Sequence, residues 1–62
     1  MPLDMTEPGN QVRLAIEELT KASVYGNSPE YVCAHTVLAF GHMEMAKLLG
    51  GMTQDARNKL KQ

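Results

Sequence analysis

Sixty-two residues, 44% of them apolar and with a net charge of −1, make at most one domain, in a size range where a single core seldom supplies more than about 3 to 5 kcal/mol. That balance excludes disorder by self-repulsion, no apolar run approaches the ~18 residues of a membrane span, and the lone Cys33 excludes an internal disulfide. The staples left for so short a chain are a metal or a partner chain. The opening MPLDMTEPGN has no basic region followed by an apolar run, and one unpaired thiol fits a reducing compartment, so a soluble, cytoplasmic chain is expected.

Val12, Ala15, Ile16, Leu19, Ala22 and Ser23 recur at the i, i+3, i+4, i+7 spacing, while Arg13, Glu17, Glu18 and Lys21 fall largely elsewhere. This predicts an amphipathic helix over about residues 10–25. Its start has competing signals: Asp4 with Glu7 reads as a capping box, Thr6 or Asn10 as caps of a later start, and Pro8 fits only a first turn. Gly26 is expected to close it in a left-handed conformation. After the short link Asn27-Ser28, the run Ser28-Pro29-Glu30 reads as N-cap, first helical residue and dipole-favoured acid. A second helix over about residues 29–49, stopped by Gly50-Gly51, should pack antiparallel on the first because the link is so short. Thr53 then caps a short basic helix over about residues 54–61, with Ala56 and Leu60 on one side. There is no strand pattern, repeat or low-complexity stretch.

At about 100° per residue the second helix carries three apolar directions. Tyr31, Ala34, Leu38, Met45 and Leu49 form one stripe; Val32, Ala39, Met43 and Ala46 form another beside His35 and His42; Cys33, Val37 and Phe40 add a third. A helix apolar nearly all round must be buried nearly all round, and one amphipathic partner cannot do that. The expected architecture is therefore all-α: an antiparallel helical hairpin plus a short C-terminal helix, assembling as a homodimeric bundle with the second helices at its centre. The expected oligomer or partner interface comprises Tyr31, Ala34, His35, Leu38, Ala39, His42, Met43, Met45, Ala46 and Leu49, and a heteromeric partner would serve it equally well.

The segment CAHTVLAFGHMEMA gathers Cys33, His35, His42, Met43 and Met45, yet helical geometry separates them. Cys33 and His35 point about 160° apart, and seven residues place His35 ~10 Å from His42, too far for two ligands of one zinc. No cofactor or metal is expected. Cys33 reads as a small buried hydrophobe, and Met43 and Met45 as adaptable core filler. The two histidines read as hydrogen-bonded residues rimming a helix interface; the sharper alternative is that their protonation near pH 6 loosens it. With no phosphate loop, paired acids or nucleophile turn, no catalytic residue and no small-molecule substrate are expected.

Charge is uneven, −4 over residues 1–44 and +3 over residues 45–62. Within the basic tail, AKLLGGMTQDARNKLKQ resembles the helix-turn-helix of phage repressors: an Ala in the first helix, a Gly at the turn, Thr-Gln opening the second helix, then inward Ala56 and Leu60. The resemblance implies base contacts from Thr53, Gln54 and Asp55, and phosphate or base contacts from Arg57, Lys59 and Lys61. The segment departs from that family in its Gly50-Gly51 pair, one residue too many for the turn, and in Arg57, which stands where an apolar side chain is usual. RNA binding is opposed by the acidic first two helices. The preferred expectation is a small non-enzymatic regulator or adaptor, self-associating and binding a larger protein; DNA binding by residues 46–62 is the alternative.

Overall fold

The computed structural model describes residues 3–24, 26 and 28–61. Three helices follow one another: α1 over Pro8–Val24, α2 over Pro29–Gly50 and α3 over Gln54–Leu60. No strand is present among the described residues.

The start of α1 lies two residues before the expected one, because the preceding turn is wound by side chains. Asp4 Oδ1 accepts from the Thr6 amide at 3.0 Å and the Thr6 hydroxyl at 2.7 Å. The Asp4 carbonyl accepts from Asn10 Nδ2 at 2.9 Å. Glu7 then offers its carbonyl to the amides of Asn10 and Gln11, so Pro8 is the first helical residue, where a missing N–H leaves nothing unpaired. Asp4 is thus a turn-former, and neither it nor Thr6 nor Asn10 acts as the expected cap.

Gly26 also plays a different part from the one expected. No positive φ occurs among the described residues. A Cβ on Gly26 would lie 2.7 Å from the Ala22 carbonyl oxygen, so this position needs glycine for space as the chain passes the end of α1, not for a left-handed backbone. Beyond it Ser28, extended at φ −118°, ψ 118°, caps α2 by accepting from the Tyr31 amide at 3.4 Å, with Pro29 next in line. α2 runs one residue past the expected stop, to Gly50. Gly51 stays right-handed, and its amide and that of Met52 satisfy the carbonyls of Lys47 and Leu49. Thr53 Oγ1 caps α3, accepting from the Ala56 amide at 3.1 Å.

α1 and α2 pack against each other as an antiparallel hairpin. The core between them is small. Ala15 from α1 and Ala39 and Leu49 from α2 are the buried apolar residues, with Gln11 the one buried polar side chain among those described. The radius of gyration is 13.4 Å, against about 10.5 Å for a compact domain of this length. The long dimension is 43 Å. α3 adds little packing and is tied mainly by polar contacts: Arg57 Nη1 donates to the Leu49 carbonyl at 3.2 Å, and Lys61 Nζ meets Asp4 Oδ2 at 3.0 Å.

Candidate functional site

The contact between α1 and α2 is built on two polar rungs. Gln11 donates through Nε2 to the Met5 carbonyl at 2.7 Å, which turns its Oε1 toward His42, 2.7 Å away at Nδ1. His42 Nδ1 therefore carries the hydrogen. One layer along, His35 Nδ1 bonds to Glu18 Oε2, and its ring lies 4.0 Å from that of Tyr31, centroid to centroid. Gln11 and Glu18 are seven residues apart, as are His35 and His42, so the two bonds are successive steps of one antiparallel register. Between them Ala15 and Ala39 let the backbones approach.

The hydrogen bond from His35 lowers the Glu18 carboxyl below its usual range. Because the acceptor is a carboxylate, a proton on His35 turns this bond into an ion pair and strengthens it.

The expected interface residues fall into two sets. His35, Ala39, His42, Met43 and Ala46 face α1 of the same chain, and Leu49 is buried and Tyr31 half-buried beside them. Ala34, Leu38 and Met45 are exposed, with Leu38 and Met45 flanking the Gln11–His42 contact. Cys33 is exposed as well, not the buried hydrophobe expected; the antiparallel partner covers a single face, and Cys33 points away from it.

Two apolar surfaces result. Between the helices runs an open groove of about 440 Å³ lined by Val12, Ile16, Leu19, Met43 and Ala46, with Lys47 at its edge. A second, shallow hollow lies beside the Gln11–His42 contact, where Met5 meets Val37, Leu38, Gly41 and Met45 of α2. Twelve large apolar side chains are exposed among the described residues.

The basic tail is partly occupied within the chain. Arg57 reaches the Leu49 carbonyl and donates through Nη2 to Gln54 Oε1 at 2.8 Å; Gln54 also donates to Asn58. Lys61 pairs with Asp4, and the Thr53 hydroxyl is the α3 cap. Lys59 and Asp55 are exposed.

Sequence reasoning did not single out Gln11 or Glu18. Their signal was present: two polar residues at heptad spacing on the side of α1 that also carries Ala15 and Ala22, matching two histidines at the same spacing on α2. Among the described residues no three His, Cys, Asp or Glu side chains are gathered to hold a metal ion, and no helix is long and apolar enough to cross a membrane. Comparison of the chain with protein-family models, with curated proteins and with solved structures gave no match.

Proposed function

We propose that this chain is a small cytoplasmic interaction module without catalytic chemistry, a homodimeric helical regulator or adaptor that binds and modulates a larger protein. The observation that carries this reading is the inversion of apolar area: twelve large apolar side chains exposed against a buried apolar set of Ala15, Ala39 and Leu49. A soluble chain that presents its larger side chains to water is built to have them covered. The α1/α2 groove offers a place for a partner, with Ile16 59% exposed at its wall and Met43 supplying a side chain that adapts to what it meets.

Affinity capture from the native host, with and without nuclease, tests the reading when paired with Ile16→Glu. The expected result is a stoichiometric protein that survives nuclease, re-binds the purified chain, and is lost with Ile16→Glu while helicity is unchanged. Retention of DNA with a steep salt dependence, and no such protein, would replace the reading with nucleic-acid binding by the tail.

A further inference from the structure

We infer that the α1/α2 hairpin is a proton-responsive contact: as pH falls from about 7.5 to about 5.5, the range in which imidazole takes up its proton, the His35–Glu18 rung tightens and the Gln11–His42 rung gains nothing comparable.

The two rungs share a geometry and differ in their acceptor. Each histidine of α2 reaches α1 through Nδ1, His42 to the amide oxygen of Gln11 and His35 to the carboxylate of Glu18. Both bonds survive protonation, because Nδ1 is the donor in either state and the added proton goes to Nε2. What changes is the charge. Glu18, held below the usual carboxyl range by the bond from His35, is ionised throughout this window, so a proton on His35 puts opposite charges in contact. The His35 and Glu18 side chains keep 21% and 15% of their accessibility, so water and salt screen this pair less than one standing free on the surface.

At the other rung a proton places a cation against a neutral amide. Gln11 cannot reorient to answer it, since its Nε2 is committed to the Met5 carbonyl, and no ionisable group other than His42 lines the hollow beside that contact. The second rung thus serves as an internal reference for the first.

The charges around His35 leave that response to Glu18. From α1, Lys21 approaches the other carboxylate oxygen, Nζ to Oε1 at 3.4 Å, and leaves Oε2 to His35. On α2 the neighbouring ring is that of Tyr31, and Glu30 is turned to the Ser28 hydroxyl, from which it accepts at 3.1 Å. From α3, Arg57 is held on the Leu49 carbonyl and Lys61 on Asp4; Leu49 lies ~21 Å along α2 from His35.

Urea unfolding at one fixed chain concentration, from about pH 7.5 to about pH 5.5, tests the inference. The wild-type unfolding constant should fall at least about threefold over that interval. Glu18→Gln keeps an acceptor and removes the charge, making the first rung a copy of the second, and should abolish the fall. Should that variant fail to fold, His35→Gln, which keeps a donor and takes no proton, should give the same flat profile. His42→Gln should keep the wild-type profile. A wild-type constant that stays level or rises would overturn the inference, as would a fall that persists in Glu18→Gln or His35→Gln, or one that is lost in His42→Gln.

Discussion

The side of α2 that meets α1 carries His35, Ala39, His42 and Ala46, and the exposed remainder of the helix carries Leu38, Met45 and Leu48. In a lone amphipathic hairpin the larger apolar side chains would be the inner set. Here the inner face brings backbones together over alanines and places a polar rung at each of two layers. Such rungs add little net stability, since each exchanges water for a protein partner. They strongly penalise any arrangement that leaves them unpaired. The inner face therefore chooses the register, and the exposed remainder of α2 carries five of the twelve exposed large apolar side chains: Val37, Leu38, Phe40, Met45 and Leu48.

The sharpest way to break that division is at the inner face's one large buried apolar residue. Leu49 is 2% exposed, and its carbonyl anchors Arg57. Leu49→Ala should cost about 2 to 5 kcal/mol, read as a lower urea midpoint, enough to unfold a chain of this size. Next comes the rung at Gln11. Gln11→Ala strands His42 and the Met5 carbonyl and should cost about 1 to 3 kcal/mol. Adding His42→Leu should restore part of that loss, and a double mutant as weak as the sum of the singles would show that the rung is not a coupled unit.

Acid should act next and more gently. The Thr6 hydroxyl, and after it the Lys61 ammonium, hold the Asp4 carboxyl down from its usual 3.8 to about 2, and His35 holds Glu18 below its usual value. A carboxyl whose folded pKa is depressed contributes stability that is fully present above its unfolded pKa and lost as pH falls through the folded one. For Asp4 that window runs from about 4 to about 2. Thermal midpoints should fall across it, and Asp4→Asn should flatten the Asp4 part of the decline; an unchanged slope would remove Asp4 from the account. The smallest effect belongs to the exposed remainder of α2: Leu48→Ser should change monomer stability by less than about 0.5 kcal/mol while reducing association measured by light scattering.

The all-helical architecture and the order of the three helices were legible because they rest on local chemistry. Ser28-Pro29 and Thr53 cap the helices they precede, and the Gly50-Gly51 pair ends α2, since each acts within one turn of chain. Pairing across the hairpin was less legible. His35 and His42 were correctly read as sharing a face with Ala39 and Ala46, but a helix wheel for one segment does not say which of three apolar directions its neighbour will take. Pairing α1 against α2 by polar spacing would have supplied that choice, because Gln11 and Glu18 admit one antiparallel match to the histidines. Cys33 was misread for the same reason, its small apolar character being compatible with either side. Gly26 illustrates a different limit: a close approach to the Ala22 carbonyl depends on where the chain goes after α1, which no local pattern encodes.

The two rungs also decide how this hairpin can move. Sliding α2 along α1 by one helical turn, about 5.4 Å, would separate both histidines from Gln11 and Glu18 together. The nearest slip that re-forms any rung is seven residues, ~10 Å along the axis. Ratcheting of one helix past the other therefore forfeits both rungs together until a full seven-residue slip re-forms one of them.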